Sequence, residues 1–241
     1  MSHEVPVQPA ATVMLVRDGE PGLEVFMLRR TTQAVFASGM YVFPGGRVDP
    51  ADGEGDDAFL VAAIRECFEE AGVLLATGAD DAVLPADHPV LDARRTVHAG
   101  DVDLRQLVDT HGLRLRTDAL TWVSHWVTPR GERARRFDTR FYLAVMPEGQ
   151  HSVHDDTETV ASLWIRPDDA LARGERGELQ LMPPTIANLH FLADHGTVTA
   201  ALEAAHRIGT PPRIEPRFRV DASGGLVGIA LPGDVDYDAL G

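Results

Sequence analysis

The segment Arg65-Glu66-Cys67-Phe68-Glu69-Glu70-Ala71-Gly72-Val73 concentrates groups capable of chemistry. On a helix, Glu66, Glu69 and Glu70 fall at i, i+3 and i+4, so the three carboxylates project from one side, opposite an apolar stripe. Like charges at these spacings cost roughly 0.2 to 0.5 kcal/mol per pair, and a compensating cation is expected. Hard divalent ions with oxygen ligands, Mg²⁺ or Mn²⁺, suit such a set, and Mg²⁺ commonly adds waters and substrate phosphates to a few carboxylates. Spacing alone leaves two readings open: a metal platform, or a solvated acidic face paired with nearby arginines.

Composition narrows the chemistry further. All 22 basic residues are Arg, and no Lys occurs among the 241 residues. Schiff-base catalysis, a lysine base and a phosphate loop built on Gly-Lys-Ser/Thr are therefore excluded. The single Cys67 excludes internal disulfides and Cys-rich metal clusters and fits a reducing compartment. With 37 acids against 22 bases the net charge is −15, which repels nucleic acid and anionic lipid at long range. At 44% hydrophobic and 24% charged residues the composition is globular, and no apolar run approaches the ~18 residues of a membrane span. The expectation is a soluble, cytoplasmic protein with neither nucleic acid nor membrane as partner.

Several elements must position the acids. Runs 11–17 and 23–30 read as strands around Asp18-Gly19-Glu20-Pro21-Gly22. A Gly/Asp-rich loop precedes a helix over 57–71, where Leu60, Ile64, Cys67, Phe68 and Ala71 share a face and Gly72 ends it. Residues 74–99 read as loop and 101–110 as helix. Strands are predicted over 119–127, 139–146 and 159–165, and helices over 167–173, 184–195 and 198–206. The tail reads as a hairpin of 213–220 with 226–231. The order is mixed α/β without regular alternation, and no linker divides it, so a single domain over 1–241 is expected.

The nine residues 65–73 match, position by position, the R-E-U-x-E-E-x-G-U half of the Nudix box, where U is apolar; Phe43-Pro44-Gly45-Gly46 resembles the segment that opens it. Between Gly46 and Arg65 lie 18 residues where the family has 13, an insertion of five. Counting back eight from Arg65, the family's intermediate acid falls on Asp57, which would pair with Arg65. The resemblance implies an α/β/α Nudix sandwich with a mixed sheet: a core over about 8–175, a helical insert at about 74–113 and a C-terminal extension over about 176–241. It implies metal-dependent hydrolysis of a pyrophosphate linkage in a nucleoside diphosphate joined to another group. Glu66, Glu69 and Glu70 would hold Mg²⁺ or Mn²⁺ with the Gly45 carbonyl, one of them would orient or deprotonate the attacking water, and Arg65 would orient the carboxylates. A further acid from a later loop ahead of a Trp is expected: Glu158, six residues before Trp164, with Asp155 and Asp156 as substitutes. His151 and His154 share that loop.

Arginines are left to contact the substrate's phosphates, a task their planar fork suits. Candidates are Arg30, Arg47 and the 130–136 cluster, chiefly Arg130 and Arg136. Leu28-Arg29-Arg30-Thr31, the insert, Arg136-Phe137-Asp138-Thr139 and Pro183-Pro184-Thr185 look like the branch that includes the peroxisomal coenzyme A diphosphatases. Coenzyme A or an acyl-coenzyme A is thus the first expected substrate. The family's coenzyme A signature has a second Arg where Val35 stands. Pro89 resembles a marker of ADP-ribose hydrolases, which keeps nucleotide sugars and dinucleotides as alternatives. A non-catalytic nucleotide-binding module is the reading from another class. Many family members dimerise, and the C-terminal helices and hairpin offer a surface for it.

Overall fold

The computed structural model describes residues 5–33, 37–78, 81–132 and 134–240. Val35, Arg133 and Gly241 lie outside them. At its centre runs β1 (Val7–Gly19), long enough to serve several neighbours. Along one edge it pairs in parallel with β8 (Arg136–Val145). It also pairs antiparallel with β2 (Gly22–Arg30) through Val16–Gly19 and with β4 (Gly45–Arg47) through Ala10–Thr12. The short β3 (Tyr41–Val42) and β9 (Thr159–Ile165) add to β2, and β7 (Thr121–Val127) adds to β8. These strands, with β10 (Arg213–Ile214) beyond β7, make a mixed eight-stranded sheet among the described residues.

Strand alternation sends side chains to two cores. Val13, Leu15, Phe26 and Leu28 pack against α1 (Gly55–Ala71) through Ile64, Cys67 and Phe68. Met14, Val16, Val25 and Met27 meet the other layer: α4 (Pro167–Glu175), α5 (Pro183–Ala193) and α6 (Val198–Ile208) through Ala170, Leu189, Leu192 and Ala201. The arrangement is the expected α/β/α sandwich.

Three expectations need correction. Residues 74–99 are not plain loop: they contain β5 (Ala76–Thr77), paired with β6 (Arg114–Leu115), a 3-10 turn at Pro89–Ala93 and helix α2 (Arg94–His98). Elements of two to five residues are too short to leave a hydrophobic period, yet Leu84, Val90 and Val97 are buried. The next helix, α3 (Leu104–Thr110), starts later than read because Asp103 caps it, accepting from the Gln106 N–H. In the tail, 213–220 is two strands. Pro216 lacks an N–H and breaks the run, so β10 joins β7 while β11 (Arg217–Val220) pairs with β12 (Leu226–Ala230).

Candidate active site

Helix α1 begins at the exposed Gly55 and ends at Gly72, whose φ of 72° is the left-handed conformation glycine adopts most readily. Its last turns carry the box glutamates against the bend between β3 and β4. That bend comes so close that a Cβ on Gly46 would stand 2.5 Å from Glu66 Oε1. The Gly45 N–H donates to Glu70 Oε2 at 2.9 Å. Glu69 and Glu70 are buried, at 9% and 2% exposure, so the acidic side is a packed face and not a solvated one.

Arg65 is the hub of this face. Its Nε and Nη2 donate to the two oxygens of Asp52 at 2.9 and 3.0 Å, its Nη1 reaches Glu66 at 2.9 Å and Glu69 at 3.3 Å, and its Nη2 also reaches the Arg47 carbonyl at 2.7 Å. The expected pairing with Asp57 is therefore wrong: Asp57 binds Arg105 at 2.5 Å. Counting forward six from Gly46, as the family's spacing also requires, lands on Asp52, so the five extra residues come after the acid and before Arg65. Asp52 is buried and accepts in addition from the Asp49 N–H.

Arg30 forms the second hub, with Nη1 at 3.4 Å from Glu70 and Nη2 at 3.2 Å from Glu158. It thereby joins the box helix to the later loop. Asp155 is committed within that loop, accepting from the Thr157 and Thr159 N–H groups, and Asp156 lies 3.0 Å from His154. Glu158 is the loop acid that reaches the site, while His151 is exposed.

Burial governs the electrostatics. It pushes the Glu66 carboxyl up to about 7 against the pull of Arg65, and raises Glu69 against the same pull. Glu70 is held well above the usual carboxylate range by burial and then by Glu66, with Arg30 opposing. Burial works against the charge on Arg65 as well, but the hydrogen bonds it donates to Asp52 and the charges of Glu66, Asp52 and Glu69 outweigh it and strengthen its hold on the proton.

These groups form one wall of a cavity of about 970 Å³. Arg30, Arg47, Arg65, Glu66, Glu69, Glu70, Glu158 and Gly45 all line it. Arg130 and Arg136 do not. Arg136 is buried and donates to Glu215 at 2.8 Å and to the Thr128 carbonyl, while Arg130 lies 3.6 Å from the same Glu215. Glu215, from the tail, thus draws these two away, and among the described arginines of the cluster it is Arg135 that lines the cavity. Sequence reasoning also missed the opposite wall, made by Trp126, Phe137 and Phe141 from β7 and β8, Pro183 at the start of α5, and Phe218 and Ile229 from the terminal hairpin. It missed His98 in α2, for which a short helix gives no signal.

Among the described residues no three His, Cys, Asp or Glu side chains stand ready to hold an ion, because the carboxylates converge on Arg65 and Arg30. Their chemistry fits one nonetheless. Four glutamates share one wall, and burial makes the negative charges of Glu66, Glu69 and Glu70 costly without a cation.

Sequence profiles of the NUDT19 Nudix domain and of the NUDIX domain match residues 54–192 and 6–101. The chain is 28% identical to the acyl-coenzyme A diphosphatase NUDT19 of Gallus gallus, across 95% of this chain and 79% of that protein. It is 32% identical to the putative nudix hydrolase 7 of Caenorhabditis elegans, across 70% of this chain and 55% of that one. The crystal structure of a NUDIX hydrolase from Alicyclobacillus acidocaldarius superposes with a TM-score of 0.73 at 30% identity, covering 83% of this chain and 96% of that one.

Proposed function

The chain belongs to the NUDT19-type Nudix hydrolases, and from that premise we propose that it hydrolyses the diphosphate of coenzyme A-type substrates, with Mg²⁺ or Mn²⁺ held by Glu66, Glu69, Glu70, Glu158 and the Gly45 carbonyl. The observation that carries this reading is the cavity itself. One cavity joins a wall of carboxylates, Glu69 and Glu70 among them buried, to a wall of aromatic and aliphatic side chains. A substrate with a charged diphosphate and a long, weakly polar arm matches both, and the acyl-coenzyme A diphosphatase among the relatives acts on that class by its name.

A bound divalent ion supplies neutralisation of the diphosphate and acidification of a water. The chain's own groups do the rest. Asp52 fixes Arg65 from behind, and Arg65 fixes Glu66 and Glu69, so these carboxylates are oriented before substrate arrives. Glu70 is oriented by the Gly45 N–H and by Arg30. One of these three oriented carboxylates would accept the proton from the attacking water. Arg47, exposed beside the glycines, and Arg135 at the rim meet phosphate oxygens; Arg30 does so on leaving Glu70. We read the chain as one domain acting in the cytoplasm, with a homodimer through its C-terminal elements.

The test is incubation of the chain with Mn²⁺ and coenzyme A, an acyl-coenzyme A, ADP-ribose, NADH and dinucleoside polyphosphates, with products resolved by mass. Cleavage of the coenzyme A diphosphate to 4′-phosphopantetheine and adenosine 3′,5′-bisphosphate is expected. Preferential cleavage of ADP-ribose or a dinucleotide would replace the substrate class while keeping the chemistry.

A further inference from the structure

A helix leaves its last carbonyls without partners inside the helix. In α1 two of these are met from outside: the Glu69 carbonyl accepts from Arg94 Nε at 2.8 Å, and the Ala71 carbonyl from the Val153 N–H at 2.9 Å. Arg94 does not stop there. Its Nη2 donates to the Val153 carbonyl at 2.9 Å, so a single guanidinium ties the end of the carboxylate helix to the loop that runs on to Glu158. Its positive charge at the negative end of α1 adds to the hold. One turn on, at i+4 and on the same face of α2, His98 makes a parallel connection. Its Nε2 lies 3.3 Å from Thr157 Oγ1, and its Nδ1, buried and without a hydrogen-bond partner, faces Glu69 Oε2 at 3.8 Å.

The loop has little else in common with α1. Gln150, buried, brackets Leu74 by accepting from its N–H and donating to its carbonyl, which fixes where the loop begins. The Glu158 carbonyl accepts from the Thr31 N–H, which fixes where it ends on β2. Arg30 reaches Glu70 and Glu158 from β2, and between these points the other connections to the box helix among the described residues are the Val153 N–H, Arg94 and His98.

We infer that α2, inside the segment inserted after the box, is a brace that sets the acidic loop against the carboxylate helix, with Arg94 and His98 as positioning residues for Glu158. The insert then has a part in the chemistry beyond its share of the core. This rests on the hydrolase reading, in which Glu158 serves the reaction. Neither residue needs to touch substrate. Both act through the distance between Glu158 and the Glu69–Glu70 pair, and a displacement of about 1 Å at such a distance is worth up to about a hundredfold in rate.

The experiment compares the full chain with its Arg94→Met, His98→Ala and His98→Gln variants in three measurements: amide hydrogen exchange over 152–158, Mn²⁺ affinity, and kcat and KM on coenzyme A. Loss of the brace should raise exchange about tenfold at 152–158 while β1, β2 and β8 keep their protection. It should weaken Mn²⁺ binding and lower kcat about tenfold in His98→Ala and more in Arg94→Met, with KM within about twofold. His98→Gln, which keeps a donor for Thr157, should recover most of kcat. Unchanged exchange at 152–158 in both variants would overturn the inference, and so would exchange that rises evenly through the sheet. If Arg94→Met does not fold, His98→Ala decides, since it leaves the Arg94 bonds in place. A wild-type chain inert to the whole substrate panel would defeat the hydrolase reading alone, because the exchange measurement still decides whether α2 braces the loop.

Discussion

The two walls of the cavity are built on opposite principles. The carboxylate wall is cross-linked: Asp52, Arg65, Glu66 and Glu69 form one hydrogen-bonded cluster, and Glu70, Arg30 and Glu158 another. Each of its four glutamates is aimed by an arginine, Glu66 and Glu69 by Arg65 and Glu70 and Glu158 by Arg30. The wall of Trp126, Phe137, Phe141, Phe218 and Ile229 presents little that has a direction and offers shape and apolar surface. The first wall is suited to bond breaking, where orientation counts, and the second to choosing the substrate's remote part, where fit counts.

The comparison can be broken most easily at the carboxylates. Glu70→Gln keeps the size of the side chain and removes the charge, and should lower kcat about a thousandfold with the fold intact by circular dichroism. Near-wild-type turnover would deny the wall its role. Arg65→Met leaves the buried Asp52 without its cation and should cost about 3 kcal/mol. At roughly 2 to 4 °C per kcal/mol for a chain of this size, calorimetry should show Tm lowered by about 6 to 12 °C. The opposite wall should respond differently: Phe218→Ala is expected to raise KM for coenzyme A about tenfold, worth ~1.4 kcal/mol, with kcat within about twofold. A fall in kcat at constant KM would place Phe218 with the chemistry instead.

The smallest expected effect is on stability against pH. The folded Glu66 carboxyl binds its proton more tightly than the unfolded one, about 7 against 4.5, so the stability it contributes is complete below about pH 4.5. That contribution is lost as pH rises from there to about 7. With chelator present, Tm should drift down over this window. Added Mn²⁺ should raise Tm by a few degrees, and by more at pH 8 than at pH 5, because the ion needs ionised carboxylates. A Mn²⁺ effect that does not depend on pH would argue against carboxylate ligands.

The same contrast explains what the sequence revealed. The carboxylate wall was legible because one helix carries Arg65, Glu66, Glu69 and Glu70 at fixed intervals, and helical geometry does not depend on the rest of the chain. Glu158 was singled out by the family resemblance, which looks for an acid in the loop ahead of Trp164, and it lines the cavity beside Arg30. Arg130 and Arg136 misled because local sequence shows the density of charge and not its partner: Glu215, 79 residues beyond Arg136, claims both. The apolar wall could not be read at all. Its members come from β7, β8, α5 and the terminal hairpin, and each looks like ordinary core until the sheet brings them together. The sheet was read more completely than the insert because strands of seven to thirteen residues leave a period, whereas α2 spans five residues.

Asp52 and Arg65 hold each other across the place where the chain is longer than its family's pattern. The extra residues begin at Gly53 and Glu54 and run into the first turns of α1, where residues 53–57 are exposed. Both ends of the lengthened interval are thus anchored to one salt bridge, and its contents are free to change without moving either anchor. Doubling such a loop costs only about 0.6 kcal/mol of closure entropy. A search pattern that fixes the distance from the glycines to the arginine would pass this chain by. One that fixes the acid six residues beyond Gly46, and lets the interval after it vary, would retrieve this chain together with any relatives in which the same stretch has grown.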